Sequence, residues 1–587
     1  MRLEELGVIG NGQFAALVDR RAALVWCCLP RFDAEPVFGT LLDPDGGEFV
    51  IGPADGRPGA AAYIENTNVL ETRFETPDGE FRVIDFAPRF EQHQRAFHPS
   101  QLVRIVEPLR GTPTIRVRCS PRLGWSKAAA VATNGSNHVA YNGYSAPLRL
   151  TTDYPLAALD GSPHVLRAPV QFVLSWGAPV EEPLTPLARR FLDETIAYWR
   201  DWIKECNLPP LYQQEVIRSA LALKLHCYED TGAIVAALTT SLPEEPGSGR
   251  TWDYRYCWLR DAYYALRAFE RLGHFRERER FLQYLLNLAA AAPDLDLAPL
   301  YAIDGGRVPD ETILDHWSGF NGEQPVRIGN AAASQVQHDV YGELVLALAP
   351  VFFDDRFALE RVPASFDLIE RLATKAIAVA GQPDAGLWEM RHVNQPHTFS
   401  SLMCWVAADR MALLAKRHQP PKERHFREAA TRLREEIIAR AWHRGRGCLV
   451  ATYDGDDIDA ALLQAVTLRL FEPGDPRAAQ NVDVIRGELS QNGLLRRYIR
   501  DDGFGVPGAA FLVCTFWLVE ALARLGETVD ARRSLEQAIK VLSPLGLMSE
   551  DCDIRTHGLQ GNFPQAYSHV GLIHAAFAAS PSWDDVL

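Results

Sequence analysis

The spacing of apolar residues along this chain changes once, and that change constrains the fold more than any single motif. From residue 1 to about 175 apolar side chains alternate in short runs, AALVWCCL, GEFVIG, GEFRVIDFAP, QLVRIVEPL, TIRVRCSP and VQFVLSW, separated by Gly, Pro and Asp turns. Period 2 with regular turns predicts an N-terminal antiparallel β-sandwich over residues 1–180. Residues 181–210 then carry Pro183, Pro186 and the amphipathic LARRFLDETIAYWRDWIKE, a linker helix. Beyond it the period becomes 3.6. Helical patterns recur at about 211–229, 257–272, 276–292, 333–350, 364–380, 399–417, 423–443, 457–468, 509–526, 529–541 and 564–579. Eleven helices in succession, without intervening strands, fit a closed double ring over 211–587, and the GAIVAAL region at Gly232 could supply a twelfth. At 587 residues the chain exceeds a single ordinary core, in keeping with two domains.

Charge narrows the partners. Lys+Arg of 60 against Asp+Glu of 75 leaves −15, which disfavours nucleic acid and anionic membranes and suits a neutral small molecule. No stretch reaches the roughly 18 uninterrupted apolar residues of a membrane span. MRLEELGVIGNGQ has no apolar run of a secretory signal, so the expected location is cytoplasmic. Ten scattered cysteines lack zinc-ligand spacing, which predicts reduced, structural thiols and no metal. The sequence leaves a homo-oligomer open.

The densest chemistry lies at RTWDYRYCWLRDA (250–262). Trp252, Tyr254, Tyr256 and Trp258 alternate with Asp253, Arg255, Arg260 and Asp261. Aromatic faces pack on the C–H side of a pyranose, while Arg and Asp fix its hydroxyls. A buried helix start with two internal ion pairs would use the same residues, but so many charges beside four aromatics favour a site. Arg31 and Asp33, beside Trp26 and Phe32, suit a structural loop and a site equally well.

Three later stretches add candidates. His316 to Glu343 combines Trp317, Arg327, Asn330, Gln335, Gln337 and Asp339 around a Gly-rich bend; Gln337 and Asp339 would otherwise be exposed at a helix start. In GLWEMR (386–391), Glu389 lies between Trp388 and Met390 with Arg391 following. Apolar neighbours favour a protonated carboxyl, as a general acid needs, although pairing with Arg391 on a surface turn is the simpler reading of this stretch alone. In GLMSEDCD, Glu550 shares a polar loop with Asp551 and Asp553, which suits an ionised second carboxylate for glycoside hydrolysis as well as a solvated face. No GxSxG, HExxH or GxxxxGK[ST] motif occurs.

Taken together, TTSLPE (239–244), RTWDYRYCWLRDA, PVRIGNAAASQVQHDVYGE (325–343), GLWEMR, FLVCTFWLVEAL (511–522) and GLMSEDCD with GNFPQAYSH resemble glycoside hydrolase family 15, which contains glucoamylases and bacterial trehalase-like proteins. The opening GNGQFAALVDRRAALVWCCLPRFD is similar to the β-domain preceding the catalytic domain in bacterial members. The resemblance implies an all-α (α/α)6 barrel behind the β-sandwich, and exo-acting hydrolysis of α-glucosides with inversion, without metal or cofactor. It implies that Glu389 is the general acid, Glu550 the general base, and Arg260 and Asp261 the pair gripping the terminal glucose, with Tyr254 and Trp258 lining that subsite. Trp317, Arg327, Gln337, Asp339, Trp388 and Arg391 complete the expected substrate contacts. Three departures stand out: Met390 where fungal glucoamylases carry a second Glu, Gly508 where bacterial relatives carry the Glu of EGAF, and His338, His392 and His397 around the motifs. Inversion leaves room for a water, so the carboxyls should stand about 6.5–9.5 Å apart.

A small glucoside, trehalose or a short malto- or isomalto-oligosaccharide, is the expected substrate. An inverting disaccharide phosphorylase is the alternative chemistry, disfavoured because Glu550 would repel phosphate. A non-catalytic glucan-binding protein is the third reading, disfavoured by the presence of both carboxylates.

Overall fold

The computed structural model describes residues 1–357, 362–391 and 393–587. The alternating runs form two antiparallel sheets. One pairs Gly7–Gly10, Ala15–Val18, Ala23–Cys28, Phe49–Pro53, Thr114–Cys119 and His164–Val165 in that order, with Pro36–Phe38 added against Ala23–Cys28. The other runs Val131–Asn134, His138–Asn142, Leu148–Thr152, Val170–Trp176, Gln101–Gly111, Gly79–Phe86, Leu70–Thr76 and Ala60–Tyr63. Phe38, Phe49, Phe74, Phe81 and Phe172 fill the core between them, so two sheets sharing one apolar layer make a sandwich.

Strand Ala23–Cys28 is buried throughout rather than alternating with solvent. Leu24 and Cys27 enter the sandwich core, while Ala23, Val25, Trp26 and Cys28 join the core of the helical part. One sheet therefore serves two cores. The outer face of the second sheet is covered by helix α1 (Leu184–Lys204), through Leu187 and Phe191 against Ile84 and Val103.

Twelve further α-helices follow among the described residues: α2 (Gln213–Leu225), α3 (Leu259–Leu272), α4 (Arg276–Ala291), α5 (Asp339–Phe353), α6 (Pro363–Val379), α7 (Thr398–His418), α8 (Pro420–Ala441), α9 (Gln464–Thr467), α10 (Pro476–Leu489), α11 (Leu512–Leu525), α12 (Thr528–Ile539) and α13 (Ala566–Ala579). Helices α3, α5, α7, α9, α11 and α13 follow one another around an inner ring, with α7 meeting the 3-10 turn Ala460–Leu463 that leads into α9, and α13 returns to α3 to close it. The even-numbered helices lie outside it, giving the (α/α)6 barrel. Inner α7, α11 and α13 are buried on nearly every side, as expected of helices wrapped by partners all round.

The GAIVAAL region is not the twelfth helix. It is extended, with Ala236 and Ala237 N–H donating to Tyr256 and Tyr254 carbonyls. The twelfth is α10, started by Asp475, whose carboxylate accepts from Arg477 N–H with Pro476 in the first turn.

Candidate active site

All six inner helices begin at the same mouth, and the loops preceding them build one cleft. Its empty space is about 860 Å³, including the opening, and its lining includes Tyr254, Trp258, Arg260, Asp261, Trp388, Glu389, Arg391 and Glu550. Converging helix N-termini also direct their positive dipole ends toward this mouth.

Glu389 lies in the loop before α7. Its backbone is left-handed, φ +59°, three residues after Gly386 at φ +67°. A non-glycine residue in that region costs on the order of 1–3 kcal/mol, and local bonds hold it there: Glu389 N–H donates to Gly386 O at 3.0 Å, and Gln335 Nε2 donates to Glu389 O at 3.1 Å. Its Oε1 accepts from Trp258 Nε1 at 2.7 Å and from Arg260 at 3.5 Å. The expected apolar setting is therefore not what this carboxyl meets; it faces an indole N–H and a guanidinium.

Arg260 and Asp261 open α3. Arg260 donates to Asp261 Oδ1 at 3.2 Å, Leu387 O at 3.1 Å and Gln337 Oε1 at 3.4 Å. Burial, reinforced by the nearby Glu389 charge, pushes the Asp261 carboxyl up to about 6 despite Arg260. Behind them Asp339 and Glu343, one turn apart on α5, are buried at 1% and 0% exposure, and burial raises both above the ordinary carboxylate range.

Glu550 lies in the loop before α13. The sequence suggests a wet, acidic loop there. The chain instead buries Glu550 and Asp551 at 3% each, because the segment pairs on both sides, with Ala510–Phe511 and Leu559–Gln560. Burial, then the charges of Asp551 and Glu244, raise Glu550 well above the usual carboxylate range, while Arg497 and a hydrogen bond from Tyr254 oppose that rise. Asp553 is on the exposed side, where backbone donors hold it low.

A third wall is built on Trp252, whose Nε1 donates to Glu244 Oε1 at 2.7 Å; Arg497 donates to the other oxygen of Glu244 at 2.6 Å. The Arg391 guanidinium stacks on the Trp252 ring at 4.1 Å and forms two bonds with Glu311, 2.9 and 2.7 Å. Phe504 meets Trp252 edge-on at 5.3 Å. Its loop is tied by Arg250, bidentate to Asp502 at 2.6 and 2.7 Å.

Asn330 and Gln335 also line the cleft, whereas the remaining sequence candidates stand behind or away from it. Arg327 supports it, lying 4.7 Å over Trp252, pairing with Glu311 and donating to Thr251 O. Gln337 and Asp339 form the floor under Arg260. Trp317 lies elsewhere: it is fully buried, donates to Trp125 O at 2.8 Å and packs edge-on to Trp125 at 5.2 Å, joining the helical part to the β-part. Arg31 and Asp33 pair with each other at 2.7 Å and Arg31 reaches Asp304 at 3.0 Å, also outside the lining. His392 lies outside the described residues.

Glu244, Arg250, Asp459, Arg497, Asp502 and Phe504 were not singled out from the sequence. Asp459 accepts from Trp388 Nε1 at 2.8–2.9 Å, and its signal was its place as the cap before an inner helix. Met390 lines the cleft. Glu245, from another loop, reaches position 508: its Oε2 accepts from Gly508 N–H at 3.0 Å, and a Cβ on Gly508 would lie 2.4 Å from Glu245 Oε1.

The sequence profile of Glycosyl hydrolases family 15 matches residues 210–577, and that of Trehalase-like, N-terminal matches residues 1–155. A trehalase of Mycobacterium tuberculosis is 34% identical, covering 98% of this chain and 89% of that protein. A trehalase of Thermoplasma volcanium is 30% identical, covering 98% and 93%. Among solved structures, a bacterial glucoamylase complexed with acarbose superposes with a TM-score of 0.70 at 12% identity, covering 98% of this chain and 94% of that one, which supports the shared fold. Among the described residues no helix is long and apolar enough to cross a membrane. With both parts of the sequence matched and the helices closed into one ring around a carboxylate-lined cleft, this chain is a glycoside hydrolase and belongs to glycosyl hydrolase family 15.

Proposed function

We propose that the chain is an inverting, exo-acting α-glucosidase whose substrate is trehalose, and that it works in the cytoplasm on this small neutral sugar. The observation carrying the mechanism is the placement of two glutamates around the ring. Glu389 precedes α7 and Glu550 precedes α13, three places apart in a ring of six, so they approach the cleft from opposite sides. That arrangement suits a sugar between an acid and a base.

Arg260 and Asp261 grip the terminal glucose on the floor. Glu389, with its Oε1 held by Trp258, protonates the leaving oxygen. Glu550 takes a proton from a water whose oxygen attacks C1 on the opposite face, giving β-glucose. Trp252, Phe504 and Arg391 then hold the second sugar. The division of labour we infer is a β-part over 1–180, a linking helix over 181–210 and a catalytic part over 211–587. Four carboxyl groups, Glu244, Glu245, Glu550 and Asp551, crowd the base side, and their charge opposes a phosphate nucleophile there. The similarity to proteins named trehalase supports trehalose as the substrate in this reading.

Proton NMR of fresh digests tests this. Trehalose should yield one β-glucose and one α-glucose before mutarotation, with maltose and isomaltose cleaved more slowly. Two α-glucose molecules from trehalose would exclude inversion, and no cleavage of trehalose would exclude the substrate.

A further inference from the structure

The Glu550 side of the cleft holds a feature that hydrolysis by two glutamates does not account for. Glu550 Oε2 and Asp551 Oδ2 are both buried without a hydrogen-bond partner. Both oxygens approach Gly561. A Cβ placed on Gly561 would lie 3.1 Å from Glu550 Cβ, 3.3 Å from Glu550 Oε2 and 3.4 Å from Asp551 Oδ2, so Gly561, at φ +77°, lets the two carboxyls come together without a side chain between them. Two ionised carboxylates are acceptors only, so neither can satisfy the other. One proton between them, direct or through a single water, satisfies both.

Resting on the hydrolytic reading above, we propose that Asp551 is a positioning residue for the base: it keeps a proton and donates it toward Glu550 Oε2, leaving Glu550 as the ionised member of the pair. Surrounding charge supports this. Asp551 is faced by Glu244, Glu245, Glu550, Arg497 and Arg250, and by the thiols of Cys514 and Cys552, which burial keeps neutral. Both arginines are already engaged, Arg497 with Glu244 and Arg250 with Asp502. Two committed cations cannot neutralise five carboxyl groups, so holding one proton is the least costly state. Burial raises both members of the pair, helped at Glu550 by the charges of Asp551 and Glu244 and at Asp551 by those of Glu244 and Glu245. The Tyr254 hydroxyl bonds to Glu550 and favours charge on that member. In turnover the catalytic water gives one proton to Glu550 and its oxygen to C1, Glu389 gives one proton to the leaving oxygen, and the Asp551 proton stays in place. Solvent then returns a proton to Glu389 and removes one from Glu550.

The test is the acid limb of the kcat/KM pH profile on trehalose for wild type, Asp551→Asn and Asp551→Ala, with Asp551→Ser as a second neutral donor and thermal melting to establish folding. Asn and Ser keep a donor beside Glu550 and should leave the acid limb within about half a unit while kcat falls roughly tenfold. Ala removes the donor, so the limb should move up and kcat should fall about a hundredfold. If Asp551 is instead ionised in the working enzyme, Asn removes a negative charge next to Glu550 and the limb moves down by about one unit or more, which overturns the proposal. Glu550→Gln measured alongside separates the two ideas: near-native rates there remove the hydrolytic reading itself, whereas a downward limb in Asp551→Asn with an inactive Glu550→Gln removes only the role given to Asp551.

Discussion

Trp258 Nε1 lies 2.7 Å from Glu389 Oε1, joining two residues 131 apart in sequence. Trp258 immediately precedes α3 and Glu389 occupies the strained turn before α7, so this bond fixes the carboxyl relative to Arg260 and Asp261 at the start of α3. Among the described residues the hydrogen bonds of the Glu389 carboxyl fall on Oε1, and in the proposed mechanism Oε2 is the oxygen that meets the substrate. Trp258→Phe retains a ring against Tyr254 but loses the donor. We expect kcat to fall by about 10–100-fold with KM changed less, because positioning is lost more than binding. Steady-state kinetics on trehalose checks this, and an unchanged kcat would show that the indole N–H does not position the acid.

Glu389→Gln and Glu550→Gln replace each carboxyl by an amide of nearly the same shape. Each should lower kcat by about 10³-fold or more, since an amide neither delivers nor accepts the proton. Both should remain folded, and Glu550→Gln should melt at or above the wild-type temperature at neutral pH because it removes a buried acid from a crowded acidic group. Rates within tenfold of wild type in either variant would remove that residue from the mechanism.

The period change made the fold legible, because each sheet face and each helix stripe had to be buried against something. What the period could not locate was the twelfth helix. Ala and Val in GAIVAAL suit a buried strand as well as a helix, and only pairing with Tyr254 and Tyr256 decides between them. The Asp475-Pro476 start of α10 was the better signal. At the site, the density of aromatic and charged residues along 252–261 made Tyr254 and Trp258 legible as candidates for a sugar-binding face. It could not reveal that Arg255, on the other face, is turned toward the β-part, nor that Trp317 lies in that same junction. Aromatic and charged residues suit a sugar cleft and a domain junction alike, and only long-range packing distinguishes them. Asp502 and Phe504 come from a short polar loop with no pattern of its own, so their place beside Trp252 was invisible in sequence.

Arg255 provides a test of that junction. It donates to Asp253 at 2.9 and 2.7 Å and to Ala34 O in the β-part at 2.7 Å, with its guanidinium 5.3 Å over Trp125. Asp253 is fully buried. Arg255→Ala would leave that carboxylate unpaired, so we expect destabilisation of about 3–5 kcal/mol, read as a lower urea midpoint. Asp253 also accepts from Gly329 N–H, and its carbonyl accepts from Asn330 Nδ2, so the loss should extend into the cleft as a lower kcat. A variant with the wild-type midpoint would show that the ion pair contributes nothing net.

Asp384 should give the enzyme a stability that declines through weakly acidic pH. It is fully buried beneath the Glu389 turn, and burial, then the charge of Asp339, push it up to about 7. Three donors, His338 N–H at 2.8 Å, Ser400 Oγ at 2.7 Å and Gly386 N–H, oppose the rise without cancelling it. Below the unfolded value near 4 the residue is protonated in both states and adds no pH dependence. Between about 4 and 7 the unfolded chain releases a proton that the folded chain keeps, so folding loses stability with a slope of one proton per molecule. Above about 7 both states are ionised and the slope ends. Asp384→Asn removes the ionisation, and its amide can keep the oxygen that accepts from His338 and Ser400. The variant should therefore gain stability relative to wild type from pH 5 to pH 8, by up to a few kcal/mol, and match it more closely near pH 4. Denaturant unfolding across that range is the measurement, and a difference between the two proteins independent of pH would mean that Asp384 does not titrate in this window.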